Sequence, residues 1–211
     1  MSQKTAEQQG TGPFPALRLV NELPAIRSWH VCISGFRQQT GEPTGLQRLW
    51  LKLGERRDPE TCVFLEPWDL DYDNLAELIW LCRPAWRPPT VRIYGYSWGG
   101  YSAVLLARAL RSRGIGVRHL VLCDAVYRHR YWLGQWRAFV GWPKIRVPDN
   151  VREVFWWRQK GNWPRGHDVV AKDPQKTKIH DPYVAICTHH YMDELESFQQ
   201  TALTLAALKS S

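Results

Sequence analysis

Short apolar runs alternate with amphipathic stretches along most of this 211-residue chain. Strand-like runs fall at 29–34, 62–65, 91–94, 119–123 and 151–157, with a sixth candidate at 183–188. Helical patterns lie between and after them, at 45–53, 73–82, 99–113 and 194–208. Short β-branched runs separated by helices of about ten or more residues are the signature of βαβ units. Such units build a mostly parallel sheet buried on both faces. The pattern therefore predicts a three-layer α/β fold, a mostly parallel sheet of about six strands with helices on both faces. In such sheets the reactive groups collect beyond the carboxyl ends of the strands.

Residues 1–14 read as a disordered tail, and 15–211 as one domain without internal repeats or low-complexity linkers. The stretch 127–150 breaks the alternation. It sets Tyr127, Tyr131, Trp132, Trp136, Phe139 and Trp142 among Arg128, Arg130, Arg137, Lys144 and Arg146. Because it follows a strand end, it is expected to form a short cap over the active edge. The alternative is a helix packing an aromatic stripe onto the core.

Chemistry enters at Gly95-Tyr96-Ser97-Trp98-Gly99. A strand-like run precedes this G-x-S-x-G segment and a small-residue helix follows it, which is the setting of a nucleophile elbow. Glycine at 95 and 99 removes Cβ atoms that would strike neighbouring backbone in so tight a turn, leaving Ser97 on an exposed, strained apex.

A serine hydroxyl needs a base within hydrogen-bond reach, and the base needs an acid to hold its tautomer. On this scaffold the chain order is serine, acid, histidine. Asp124 ends the strand that follows the elbow helix, where many aspartates serve only as caps or Asx turns. Asp168, beyond the strand at 151–157, is the second candidate. Among seven histidines, His30 and His119 open strands at the wrong edge, and His129 lies in the cap too close to Asp124. His167 and His180 fall in turn-rich loops. His189 and His190 close the run at 183–188, and on an extended segment only one of two neighbours can face Ser97. For an oxyanion hole, the N–H of Trp98 is one donor. The loop after the first strand, Gly35-Phe36-Arg37, supplies the other from Phe36 or Arg37.

These pieces together resemble the α/β-hydrolase family, in particular its small bacterial lipase- and esterase-like members, from about Trp29 to the C-terminus. The resemblance rests on Ser34-Gly35-Phe36, Gly95 to Gly100, Leu122-Cys123-Asp124-Ala125-Val126 and His189-His190-Tyr191-Met192-Asp193. It implies a doubly wound sheet, no metal and no organic cofactor. It favours Asp124 over Asp168, and through its terminal H-x-x-[IM]-[DP] pattern it favours His189 over His190. Phe36-Arg37 departs from the glycine run of many lipases, and the N-terminal strands and cap are reduced.

The expected activity is hydrolysis of a small-molecule ester or thioester. Ser97, His189 and Asp124 form the catalytic set, and Phe36 and Trp98 hold the oxyanion. Arg37, Trp132 and Trp136 are the expected substrate contacts, since an aromatic wall suits an acyl chain. The competing reading is an inactive protein of the same fold that uses the aromatic, basic cap to bind a partner.

Composition changes this picture little. The net charge of +8 raises a nucleic-acid reading, but the basic residues are scattered in short clusters and no recognition motif accompanies them. A solvated basic surface and no specific nucleic-acid partner are expected. Five cysteines without a C-x-x-C pair read as free thiols in a reducing compartment. No stretch approaches the ~20 apolar residues of a membrane span, and the N-terminus lacks the apolar core of a signal peptide. The expected location is the cytoplasm. The pairs His189-His190 and His180-Asp181 lack metal-ligand spacing, and no phosphate-binding glycine motif is present.

Overall fold

The computed structural model describes residues 24–35, 43–55, 60–67, 70–128 and 143–208. Phe36, Arg37, Trp132, Trp136, the expected N-terminal tail and most of the expected cap lie outside the described residues.

In chain order the elements are β1 (Ser28–Ile33), α1 (Gly45–Gly54), β2 (Glu60–Leu65), α2 (Tyr72–Leu81), β3 (Thr90–Tyr96) and α3 (Trp98–Ser112). Then come β4 (Val117–Cys123), β5 (Ile145–Val147), β6 (Val151–Gln159), β7 (Val169–Ala171), β8 (Lys178–Ile179) and β9 (Tyr183–Ala185). A 3-10 helix, His189–Glu194, and α4 (Glu196–Ala207) complete the described chain. Seven strands form the main sheet in the order β2-β1-β3-β4-β6-β8, with β9 also paired to β6. Every pairing is parallel. The sheet thus has one strand more than expected, because the short strand β8 precedes β9 on the far side of β6.

Three further expectations change. The candidate strand at 183–188 stops at Ala185 and gives way to bends and the 3-10 helix. The last helix begins at Glu196 rather than at 194. The end of the expected cap, Ile145–Val147, is a strand that pairs with Val169–Ala171 in a separate two-stranded sheet. Three residues are too few to show a period of two, so β5 and β7 left no readable trace in the sequence.

The central strands are buried on both faces because alternate side chains enter two different cores. Val31, Ile33, Val91, Ile93, Leu120 and Leu122 pack with Ala76, Ile79, Val104 and Leu106 of α2 and α3. Cys32, Tyr94, Tyr96, Val121 and Cys123 pack with Leu46, Leu49, Phe198 and Ala202 of α1 and α4. Helices on both faces make three layers.

Local chemistry starts the helices. A capping box opens α1: Thr44 Oγ1 accepts from Gln47 N at 3.2 Å, and Thr44 N donates to Gln47 Oε1 at 2.8 Å. Asp71 caps α2 through the N–H groups of Asp73 and Asn74. Arg92 sits fully inside the second core and secures the end of α4. Its guanidinium donates to Leu205 O at 3.1 Å, Leu208 O at 2.5 Å and Ser28 Oγ at 3.1 Å. A cation at a helix C-terminus also meets the negative end of the helix dipole.

All five cysteines are free, with Cys32, Cys82 and Cys123 buried. Among the described residues no helix is long and apolar enough to cross a membrane.

Candidate active site

Because all strands of the main sheet run the same way, their carboxyl ends share one edge. Ser97 follows β3 and Asp124 follows the neighbouring β4. Backbone bonds stitch the two turns together. Ser97 N donates to Cys123 O at 3.0 Å, and Val126 N donates to Ser97 O at 2.8 Å.

Ser97 has φ 54° and ψ −123°, a left-handed conformation that costs a non-glycine residue roughly 1–3 kcal/mol. The elbow is tight enough to require its glycines. A Cβ on Gly95 would lie 2.6 Å from Gly99 O, and one on Gly99 would strike the carbonyl oxygens of Ile33 and Ser34. Ser97 holds the N-cap position of α3, where a serine hydroxyl ordinarily accepts from the first-turn N–H groups. Here it makes no capping bond. Its Oγ lies 2.8 Å from His189 Nε2 instead.

The other ring nitrogen, His189 Nδ1, is 2.6 Å from Asp124 Oδ2. Ser97 is not the exposed apex expected from the elbow: all three side chains are buried, with Ser97 6%, His189 4% and Asp124 0% exposed. Asp124 Oδ1 accepts from Gly166 N at 2.9 Å and Gln159 N at 3.2 Å, so both oxygens of the carboxylate are engaged. The carboxylate can therefore only accept the Nδ1 proton, which leaves Nε2 as the acceptor facing Ser97.

His189 is held from several sides. Its N–H donates to Asn162 Oδ1 at 2.9 Å, and its carbonyl accepts from Tyr96 Oη at 2.7 Å. The Tyr96 ring stacks beside the imidazole, with centroids 5.2 Å apart. Burial, and after it the charge of Asp193, pushes the Tyr96 phenol well above its ordinary range, which keeps it a donor. One turn further on, Asp193 Oδ2 accepts from Leu46 N at 2.9 Å in the first turn of α1. This ties the 3-10 helix to the positive end of a neighbouring helix.

His189 and His190 do not stand on the expected extended segment; both stand on the 3-10 helix. The geometry separates them by another route. With three residues per turn, positions i and i+3 share a side. His189 and Met192 are both buried, while His190 and Tyr191 point outward. Asp168, the second acidic candidate, is half exposed and pairs with Arg158 at 2.5 Å.

Three other histidines of the described residues sit elsewhere, and His129 lies outside those residues. His30 Nδ1 is 3.0 Å from Tyr94 Oη within the core, and His180 Nε2 is 3.0 Å from Glu153 Oε2. His167 is buried behind Asp124, where its Nδ1 accepts from Tyr127 N at 3.2 Å. Trp98 is half buried at the start of α3, with the Arg128 guanidinium 5.4 Å from its ring centroid. As the residue after Ser97, it brings its backbone N–H to the elbow.

Gln159, Asn162 and Gly166 were not anticipated. Gln159 ends β6 and the other two lie in the loop that follows, which Gln159 Nε2 closes by donating to Asn162 O and Pro164 O at 2.7 and 2.8 Å. Their contact with the site depends on β6 lying beside β4, and no sequence spacing announces it. Among the described residues no group of three or more His, Cys, Asp or Glu side chains could hold a metal ion.

The parallel sheet, the helices on both faces and the elbow between β3 and α3 define the architecture. The fold is α/β-hydrolase-like. No protein-family model matches the sequence, and no curated protein does. Solved structures similar to the chain include the type II thioesterase BorB from the borrelidin biosynthetic cluster, at 13% identity and TM-score 0.45, covering 87% of this chain and 95% of that one. The surfactin thioesterase domain SrfTE is similar at 13% identity and TM-score 0.47, over 90% and 95% of the two chains. Human thioesterase 2 is similar at 11% identity and TM-score 0.42, over 88% and 100%. At such identities and TM-scores, the substrates of those proteins carry no weight for this chain.

Proposed function

We propose that the chain is a serine hydrolase that cleaves a carboxylic ester or thioester of a small molecule through an acyl-enzyme. What supports this reading is the continuous, buried hydrogen-bond path from Ser97 Oγ through His189 to Asp124. A hydroxyl withdrawn from helix capping and aimed at an oriented imidazole has the form of an activated nucleophile.

In the proposed reaction Ser97 Oγ attacks the acyl carbonyl carbon while His189 Nε2 takes the hydroxyl proton. Asp124 holds the imidazole in orientation and stabilises the imidazolium that forms. The N–H of Trp98 donates to the oxyanion, with Phe36, on the sequence reading, as the second donor. Collapse of the tetrahedral intermediate breaks the bond to the leaving oxygen or sulfur, which takes the proton from His189. A water molecule then repeats the cycle on the acyl-serine, releasing the acid and restoring Ser97. No metal or organic cofactor takes part. Arg37, Trp132 and Trp136 are proposed to contact the acyl group.

The test is covalent labelling. A fluorophosphonate probe is expected to add one phosphonyl group at Ser97, read by intact mass and peptide mapping. Ser97→Ala is expected to lose both the adduct and the hydrolysis of activated esters while keeping its melting temperature. A folded protein that shows neither labelling nor ester or thioester turnover overturns the proposal.

A further inference from the structure

A second cleft lies away from the Ser97 site, where the C-terminal half of α3 faces the small β5–β7 sheet. It encloses about 600 Å³ and is lined by Arg108, Arg111, Ser112, Arg146, Pro148 and Lys172. Four of these six residues are cationic. Arg108 stands eleven positions beyond Ser97 on the same helix, about 16 Å along its axis, so the cleft and the elbow occupy opposite ends of α3. These residues are 24 or more positions apart between α3, β5 and the turn after β7, and the scattered charge of the sequence gathers here only through the fold.

The cleft is braced rather than loose. Arg108 Nη2 donates to Arg146 O at 3.1 Å, drawing the helix and β5 together. Arg111 Nη2 donates to Asp149 Oδ2 at 3.1 Å. Asn150 Nδ2 donates to Ala107 O and Ile115 O, both at 2.9 Å, pinning the turn after β5 against α3 and the α3–β4 connection. Lys172 N donates to Val147 O at 2.8 Å, fixing the backbone from which its ammonium extends. Asp149 is the carboxylate among these cations, and it is engaged by Arg111. The negative end of the α3 dipole also points here, but at about half a charge it is outweighed by the surplus of cations.

We infer that this cleft binds a small ligand carrying clustered phosphates, a di- or triphosphate group in chemical terms. The Arg111 fork is closed on Asp149, so Arg108, Arg146 and Lys172 are left to meet phosphate oxygens, the arginines through paired N–H donors. A volume of about 600 Å³ lies within the range of small-molecule sites, and the charge surplus favours several phosphates over one. The inference is independent of the reaction proposed for Ser97.

Inorganic tripolyphosphate is the probe, compared with sulfate and orthophosphate at matched ionic strength, using calorimetric titration and thermal shift on the full chain. Tripolyphosphate is expected to bind and to raise Tm well beyond either control anion. The exposed pair Arg108→Glu with Lys172→Glu is expected to weaken it at least tenfold, with a cooperative unfolding transition and Ser97 labelling retained. Arg108→Gln with Lys172→Gln serves if the charge reversals impair folding. Lys52→Glu, a reversal on α1, is expected to leave binding unaltered. Tripolyphosphate that acts no differently from sulfate, or equal weakening by Lys52→Glu, overturns the assignment. So does oligonucleotide binding that survives in the double variant without any tripolyphosphate effect, since that marks a diffuse nucleic-acid surface.

Discussion

Asp124 faces His189 with one carboxylate oxygen at 2.6 Å and closes its other oxygen onto the backbone of Gly166 and Gln159. That second set of bonds explains why the carboxylate does not swing away from the imidazole. Asp124 itself has φ 43°, a conformation favourable to few residues other than glycine, asparagine and aspartate. Asp124→Asn keeps the size and the backbone preference but removes the charge and offers an amide donor where an acceptor is required. The expected result is a fall in kcat of about 10²–10⁴ with near-native stability. Ester turnover and chemical unfolding, measured side by side, separate the two effects.

The neighbouring histidines provide a direct comparison. His189→Ala is expected to abolish turnover and fluorophosphonate labelling. His190→Ala, on the outward side of the 3-10 helix, is expected to retain activity within about twofold, because surface substitutions usually change stability by less than about 0.5 kcal/mol. Activity lost only in the His190 variant would reassign the base.

Arg92 is a stability residue rather than a site residue. Three donors of one buried guanidinium serve Ser28 and two carbonyls at the end of α4. Arg92→Met fills much of the volume but strands those acceptors, at about 1–3 kcal/mol for each that stays buried. A drop of about 3 kcal/mol or more in unfolding free energy is expected, and urea denaturation checks it.

His119 predicts a pH dependence of folding. Burial, reinforced by the positive charge of Arg92, lowers its pKa from 6.5 to about 4. The folded state therefore refuses a proton that the unfolded chain accepts. Its contribution is flat above pH 6.5 and falls as the pH drops from 6.5 towards 4, reaching a loss of about 2 kcal/mol at pH 5. His119→Gln is expected to remove that part of the slope. Unfolding curves of both proteins at pH 7.5 and 5 give the measurement, and parallel slopes would contradict it.

The sequence by itself determined what depends on near neighbours. Short continuous apolar runs specified strands buried on both faces, since successive side chains of a strand point to opposite faces and both faces are then apolar. Glycines at 95 and 99 around Ser97 specified the elbow, because the clash they avoid arises within a few residues and with the strand that any parallel arrangement places beside it. Thr44 and Gln47, as a local pair, likewise opened α1.

What only the tertiary structure decided involves groups far apart in the chain. His189 meets Asp124 across 65 residues and Ser97 across 92. Which aspartate and which histidine come within reach depends on strand order and on a 3-10 turn that replaces the expected extended segment, while Asp168 pairs with Arg158 instead. The loop from Gln159 to Gly166 reaches Asp124 only because β6 lies beside β4. Likewise, Arg108, Arg146 and Lys172 become one cleft only when β5 and β7 pair against α3. Hydrogen bonds and charges act over a few ångströms of space, and that distance is set by packing, which one-dimensional spacing does not encode.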